Sequence, residues 1–470
     1  PIEINTLFAI NVLTCIITRN ELFVWSVYLI LGNLARPFPW QGFCGKLKKF
    51  ILRVCINIGG IHTGSVFWFL VNGFYLLIYL PVNEAFKAQS GFSFDIPVFL
   101  NNYIITCFVV FCFVMMAGFA TPLWRHKPRW HDYFEYTHRY FGWSAAIALI
   151  VDMSLALASP EYGSKLYTAT SANFWIIWVV IGLILWPWVL MIYYVDASIL
   201  SPSNMVCLVT WSPKPWFAVP GTAGKVSQGS VFGQFHSFAL LADVGGDPNR
   251  ALMGIAKGGD WTTEVIAKGL EVVENRASTV KRASIARGDP ADKKVAVKID
   301  SSVATHKLTF RRFGVPGFMW LVRSYKRVVC IGTGAGVAPI ASYLPNPMRE
   351  MLILWIGRSF EKTYGPLYPF VTAYKNSILI DSRAEPGEDN PFSPAYDLKF
   401  TSGGARQAQR RATVVRYGEK RPDIPSLAIA AVEMFKAEAV FIISGPKPTY
   451  AMCHAVWKVG VHGYGATWDS

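Results

Sequence analysis

Charge is scarce in this chain, and closely paired cysteines are missing. Only 16% of its 470 residues are Asp, Glu, Lys or Arg, while 52% are hydrophobic. Mean hydropathy is positive. That is too apolar for an ordinary cytosolic enzyme of this length and points to membrane spans. The eight cysteines are scattered with no CxxC pair, which argues against a disulfide framework and a thiolate metal site. The chain starts at Pro1 without a signal-peptide pattern, and the expectation is a piece of a longer protein. The formal net charge is +15. Many of the cations sit in short loops between apolar runs, where basic residues fix membrane orientation, so no nucleic-acid partner is expected.

Two halves are visible. Up to about residue 196 the sequence is a series of apolar and aromatic runs. A spanning helix needs roughly 20 apolar residues. Segments 54–83, 96–124, 138–159 and 173–195 qualify. The stretch Ile4 to Asn33 is interrupted by Arg19 and Glu21 and reads as one long helix or two short ones. The expectation is therefore a transmembrane domain over 1–196 with five or six helices. Loop 34–53 carries Arg36, Lys46, Lys48, Lys49 and Arg53, and loop 125–137 carries Arg125, Lys127 and Arg129. The positive-inside rule places both loops, and the polar half after the last span, on the cytosolic side.

The polar half divides again. Residues 204–318 contain short strand patterns such as "MVCLVTW", "FHSFALLADVGG" and "KLTFRRFGVPGF", which predict a small antiparallel barrel. The basic stretch near 275–298 reads as an exposed loop. From Val328 a strand, a glycine loop, a helix and further strands follow, which predicts a parallel α/β sheet over 325–470. The loop "GTGAGVAP", Gly332 to Pro339, sits between strand and helix. Glycines there let backbone N–H groups approach a pyrophosphate. A tight βα turn without a ligand is the plainer alternative.

Two further motifs lie before that loop. "FHSFAL" runs from Phe235 to Leu240 and "GGDWTTE" from Gly258 to Glu264. From about residue 205 onward the sequence resembles the ferredoxin-reductase-type flavoprotein module, most closely that of the ferric reductase and NADPH oxidase superfamily. The resemblance implies a membrane α-helical bundle followed by an FAD-binding antiparallel β-barrel and an α/β NAD(P)-binding domain. His236, Ser237, Phe238 and Ala239 match two of four residues of a His-Pro-Phe-Thr motif that lines the flavin. Gly259, Asp260, Trp261 and Thr262 match all four of the Gly-Asp-Trp-Thr motif that follows. Ala239 replaces a threonine whose hydroxyl faces the flavin ring. Gly314 to Phe318 stand loosely where the family has a Gly-Pro-Tyr-Gly-like turn. Ser444, Gly445 and Pro446 occupy the place of a Cys-Gly-Pro motif near the nicotinamide, and serine is a much poorer nucleophile than a thiol. Lys420 to Asp423 resemble a Gly-Arg-Pro-Asp element. Trp468 is placed as the C-terminal aromatic that stacks on the flavin, or it is a surface aromatic. By this resemblance Gly332, Thr333, Gly334, Gly336 and Pro339 bind the dinucleotide. Arg358 or Arg383 would pair with the 2′-phosphate of NADPH, which is favoured over NADH, or both are solvated loop arginines.

In this superfamily two helices each supply two histidines for two haems. His138 to Trp143, "HRYFGW", resembles the pattern on one haem helix, but fourteen residues on stands Asp152. Fourteen residues past His62 stands Leu76. The outer haem is therefore expected to be absent. One inner b-type haem held by His62 and His138 is one reading. A packed, hydrogen-bonded His62 without haem is the other. The expected function is a membrane flavin oxidoreductase passing electrons from NAD(P)H through FAD to an unidentified acceptor. The chain also resembles the C-terminal membrane region of fungal proteins that carry an adenylate-forming, peptide-synthetase-like domain. Two alternatives stand: a membrane-anchored redox-sensing module with a silent flavin fold, and an ion or proton pathway through Asp152, His62 and Arg19.

Overall fold

The computed structural model describes residues 2–89, 105, 108–118, 131–158, 172–229, 233–242, 247–287, 305–344, 349–381, 413–416 and 422–466. They fall into two units: Pro1–Phe23 with Asn57–Leu190, and Val24–Ile56 with Met191–Ser470. The helices before the first strand are α1 (Ile2–Ile17), α2 (Glu21–Ala35), α3 (Gly42–Ile56), α4 (Ile58–Gln89), α5 (Phe108–Gly118), α6 (His131–Ala158) and α7 (Ala172–Val189).

The first unit is helical. Its described core is small, with Phe69 of α4 and Val110 of α5 buried against Val12, Leu70, Val114 and Ala148. The segment Ile4 to Asn33 is two helices. The break falls at Asn20, whose Oδ1 accepts the N–H groups of Leu22 (3.0 Å) and Phe23 (3.4 Å) and so caps α2. Among the described residues no single helix is long and apolar enough to cross a membrane. Two helix pairs broken by a short gap pass together by length and composition: Ala9–Ile17 with Glu21–Ala35, and Gly42–Ile56 with Ile58–Tyr75. The start of the expected 54–83 span is thus the end of α3, and α4 begins at Ile58. The expected 173–195 span ends as helix at Val189, and its last residues, from Ile192, are extended. Of the expected 96–124 span, only residue 105 and α5 lie within the described residues.

The second unit holds a barrel and a sheet. The strands are β1 (Ile192–Ser203), β2 (Val206–Trp211), β3 (Thr222–Gln228), β4 (His236–Ala242), β5 (Ala251–Ala256), β6 (Thr305–Arg311) and β7 (Val315–Pro316). Six of them close in the order β4-β5-β2-β1-β6-β3, with β3 pairing back to β4 and every pairing antiparallel; β7 adds to β3. Closure leaves no unpaired edge in the ring. The period of two decides which side chains fill it. Cys207, Val209 and Trp211 of β2 face the barrel core, while Val206 and Leu208 join a second core outside it. That double burial is why β2 reads as a continuous apolar run. Helix α8 (Asp260–Arg287) packs on the barrel, and the Ser201 hydroxyl donates to the Ile266 carbonyl at 2.8 Å. The barrel thus opens at Ile192, twelve residues before 204. The first residues of the stretch read as a basic loop near 275–298 continue α8 as far as Arg287.

The remaining strands are β8 (Arg327–Thr333), β9 (Glu350–Gly357), β10 (Ser377–Asp381), β11 (Thr413–Arg416), β12 (Ala439–Ile443) and β13 (His462–Gly465). They form a parallel sheet in the order β11-β10-β9-β8-β12-β13. Both faces are buried. Leu352, Leu354 and Ile356 of β9 pack with α12 (Ile424–Phe435) and α13 (Pro446–Lys458), while Met351, Ile353 and Trp355 face the other layer. That other layer includes α2 and α3, through Tyr28, Ala35, Leu52 and Cys55.

Candidate functional site

The parallel sheet reverses its strand order between β8 and β12, and ligands of open α/β sheets bind outside the carboxyl ends of strands at such a point. The Gly332–Pro339 loop leaves β8 there. Gly334 has φ +59°, and a short 3₁₀ turn (Gly334–Val337) runs into α9 (Ala338–Ala341), with Pro339 in its first turn. At Gly336 a Cβ would lie 2.5 Å from the carbonyl oxygen of Ile443, the last residue of β12. The glycine therefore lets the loop lie directly against the neighbouring strand. The Thr333 hydroxyl donates to Ser444 Oγ at 2.9 Å. Ser444 is buried at the end of β12, and Gly445 and Pro446 open α13. The structure thus brings Gly332, Thr333, Gly334, Gly336, Pro339, Ser444, Gly445 and Pro446 to one crevice.

Two residues with no motif to mark them support the loop. Trp355 Nε1 donates to the Gly334 carbonyl at 2.8 Å, and the Tyr364 hydroxyl lies 3.5 Å from a Cβ placed on Gly334. Trp355 stacks edge-on with Phe360 at 4.7 Å and lies 5.0 Å from Tyr364. In the sequence they were hidden inside a buried strand and the helix after it. Arg358 is exposed beyond the end of β9, and Asp381 at the end of β10 accepts the Ser359 N–H at 3.2 Å. Arg383, Lys420 and Trp468 lie outside the described residues.

The barrel meets this crevice. A Cβ on Gly254 of β5 would lie 3.0 Å from Ala338 Cβ, and the Ser342 hydroxyl accepts the Gly221 N–H at 3.1 Å. On β4, Phe238 and Leu240 pack into the barrel core, whereas Leu241 belongs to the core shared with the sheet. By alternation Ser237 and Ala239 lie on the outward face with Leu241. Their small side chains leave that face low enough for a planar ring. His236 and Phe238, on the inward face, pack on Trp261 at 4.6 and 5.7 Å between ring centroids.

The Gly259–Thr262 motif serves a local purpose in this geometry. Thr262 Oγ1 accepts the N–H groups of Gly258 (2.8 Å) and Gly259 (2.9 Å), which ties down the start of α8. Asp260 is exposed at that start. Trp261 packs on His236, partly buried against the barrel core. Trp261 thus packs on β4, Thr262 holds the turn before it, and Gly258 to Asp260 are exposed.

The first unit holds a separate feature. His62 of α4 and His138 of α6 have ring centroids 6.4 Å apart. His62 Nδ1 donates to the Cys15 carbonyl at 3.0 Å, and His138 Nδ1 donates to the Ala117 carbonyl at 3.3 Å. A carbonyl oxygen only accepts, so Nδ1 is the donor in both bonds; Cys15 Sγ also lies 3.1 Å from His62 Nδ1. Both rings line a cavity of about 410 Å³. Arg19, Asn20 and Arg139 also line it, and most of its wall is aliphatic, with Val66, Val114 and Ile184 among the residues. The backbone at Leu76 and Asp152 is helical, and their side chains lie outside the described residues.

Over residues 318–397 and 401–470 the chain matches the family model of the C-terminal domain of adenylate-forming reductase 03009. It is 25% identical over 466 residues to adenylate-forming reductase 03009, and 26% identical over 468 residues to adenylate-forming reductase 06235, both from Coprinopsis cinerea. Each match covers 98% of this chain, which spans 36% of either relative's length. The relatives carry the adenylate-forming name that the sequence suggested. Among solved structures, a ferredoxin NADP+ reductase from Neisseria gonorrhoeae with bound FAD and NADP covers 59% of this chain and 99% of its own, at 11% identity and a TM-score of 0.36. The ferredoxin-NADP+ reductase of Plasmodium falciparum with 2'P-AMP covers 59% and 96%, at 11% identity and a TM-score of 0.33. Likenesses this slight carry no chemistry over to this chain.

Proposed function

We propose that this chain is the electron-transfer region of a larger reductase, taking hydride from NADPH onto an FAD and passing electrons to a further acceptor. The observation that supports it is one crevice. There the glycine loop and Ser444 meet at the switch point of a parallel sheet, directly against the outer face of a closed barrel. The reductase names of the relatives agree with this reading. Flavin, when bound, supplies the conversion of a two-electron donor into single-electron steps.

The chain's residues bind and orient. The Gly332–Pro339 backbone lies against the dinucleotide's phosphates, and Trp355 holds the loop by its Gly334 carbonyl. Ser237 and Ala239 give the flavin a low surface on β4. The Thr333–Ser444 pair would present a hydroxyl, not a thiol, beside the nicotinamide, orienting the ring without serving as a nucleophile. Arg358 meets the 2′-phosphate. The test is anaerobic addition of NADPH or NADH to the FAD-loaded protein. Bleaching of the flavin band by NADPH supports the reading, and a flavin band that persists with both nucleotides favours a silent fold.

A second reading concerns the first unit. His62 and His138, with ring centroids 6.4 Å apart and both lining a largely aliphatic cavity, suit one b-type haem. His62 and His138 would hold it, and it would supply a one-electron station. Large apolar side chains on the outside of this unit, among them Phe67, Trp68 and Phe74 of α4 and Trp175 and Trp178 of α7, suit embedding in a bilayer with the second unit on the cytosolic side. A Soret band in protein expressed with haem supplied, lost in His62→Ala and in His138→Ala, supports it. Its absence from folded protein rejects it. An adenylate-forming domain elsewhere on the full-length chain is the expected partner of the whole.

A further inference from the structure

Helices α2 and α3 bury one face each. On α2, Tyr28 and Ala35 enter the core, and a Cβ on Gly32 would lie 3.8 Å from Trp320 Nε1. On α3 the buried positions are Gly45, Lys48, Ile51, Leu52 and Cys55. The opposite faces are not polar, as a helix on a globular surface would require. Leu29, Ile30 and Leu34 of α2 are exposed at 48%, 63% and 52%, and Phe43 and Phe50 of α3 at 82% and 66%. Phe43, Lys46 and Phe50 share one face by their i, i+3, i+7 spacing.

Beyond the buried Glu21 at the start of α2, the charge on this hairpin has one sign. From Leu22 to Asn57 the sequence has five cations (Arg36, Lys46, Lys48, Lys49, Arg53) and no carboxylate. Lys48 is spent internally, its Nζ donating to the Phe38 carbonyl at 3.0 Å, and Lys49 and Arg53 lie over the Trp457 ring at 4.5 Å each. Arg36 and Lys46 are exposed beside the apolar face. At the other end of α2, Trp25 packs on Phe217 at 5.2 Å, and both Trp216 and Phe217 are half exposed. Aromatic side chains at the edge of an apolar strip, with cations alongside, match the layered polarity of a bilayer surface.

We infer that the outward face of the α2–α3 hairpin is an interfacial membrane-binding surface of the second unit, selective for anionic lipid. Phe43, Phe50, Ile30 and Leu34 enter the acyl boundary, and Arg36 and Lys46 meet headgroup phosphates and carboxylates. The surface does not require the first unit to cross the bilayer, nor a flavin to be bound. It brings the nucleotide-binding unit itself down onto the membrane. A second copy of the chain would also cover exposed phenylalanines, but a like-charged, carboxylate-free strip repels its own copy.

The experiment uses the full chain with vesicles carrying a diazirine on the lipid acyl chain, with and without phosphatidylserine, and mass mapping of labelled residues. Labels on Ile30, Leu34, Phe43 and Phe50 that rise with phosphatidylserine support the inference. Each of Arg36→Gln and Lys46→Gln should cut that labelling roughly fivefold, the effect of about one cation at an anionic surface. Phe43→Ser with Phe50→Ser should abolish it while the far-ultraviolet circular dichroism stays unchanged. Labels confined to the first unit would overturn the inference and leave the spanning reading intact. A dimer in sedimentation velocity that Phe43→Ser with Phe50→Ser dissolves, in place of lipid adducts on α2 and α3, would also overturn it.

Discussion

A single methyl group at Gly336 tests the crevice most sharply. The alanine Cβ would sit 2.5 Å from the Ile443 carbonyl oxygen and 3.0 Å from Ile443 Cγ2, about 0.9 Å short of the 3.4 Å at which ordinary contact begins. The first neighbour is backbone at the end of a buried strand, so it cannot swing aside. The loop must lift from β12, taking its N–H groups with it. Overpacking of this kind costs about 1–3 kcal/mol. If all of it falls on dinucleotide binding, affinity drops roughly 5-fold to 150-fold. Gly334→Ala is the comparison. Its Cβ meets only the Tyr364 hydroxyl at 3.5 Å, but φ is +59°, so the cost is the left-handed conformation, about 1–2 kcal/mol. Titration of both variants with NADPH, alongside thermal unfolding, reads the effect. The reasoning predicts weaker NADPH binding in both and a larger loss in Gly336→Ala. NADPH affinity and unfolding midpoint both unchanged in Gly336→Ala would refute it.

Other residues give separate expectations. Trp261→Ala removes the packing on His236 and Phe238, and should cost about 2–3 kcal/mol of stability and weaken FAD retention, measured by denaturant unfolding and by flavin lost on gel filtration. Ser444→Ala leaves the Thr333 hydroxyl to rebond elsewhere, so flavin reduction should slow about tenfold or less, and a complete loss in stopped-flow traces would assign Ser444 a direct chemical role. His462 is pushed down to about 4, first by burial and then by Lys49, Lys48 and Arg53, while its Nδ1 bonds the Tyr325 hydroxyl at 2.7 Å. Its protonation favours the unfolded chain, so its contribution is intact above about pH 6.5 and is lost as pH falls toward 4. Urea unfolding should show a loss of roughly 2 kcal/mol over that window, and His462→Gln should flatten it.

The glycine loop was legible because only a strand, a tight turn and a helix explain its spacing, and the fold places it at the switch point. The barrel strands were legible by alternation, except the first. Ile192 to Ser203 continues an apolar run from α7, so period two was masked by what precedes it. The hairpin α2–α3 was hidden for a related reason. Tyr28, Ala35, Leu52 and Cys55 look like parts of spans or loops, and only tertiary packing shows that they cover the parallel sheet. Motif residues were visible in Gly259 to Thr262, but their geometry is local: Thr262 caps a helix and Trp261 packs on β4. Trp355 and Tyr364 carried no signal at all, since a buried strand aromatic reads the same whether or not its ring nitrogen holds a loop. His62 and His138 stand 76 residues apart in the sequence, and only the helix packing sets their 6.4 Å separation.

The central claim is that one crevice in the second unit holds both a flavin and a nicotinamide nucleotide. The direct measurement is an anaerobic titration of FAD-loaded full chain with NADPH, followed by absorbance and compared with Gly336→Ala. The account predicts FAD retained through gel filtration and stoichiometric bleaching that Gly336→Ala shifts to higher NADPH. A folded chain that binds no FAD, or an FAD that stays oxidised under excess NADPH and NADH, would contradict it.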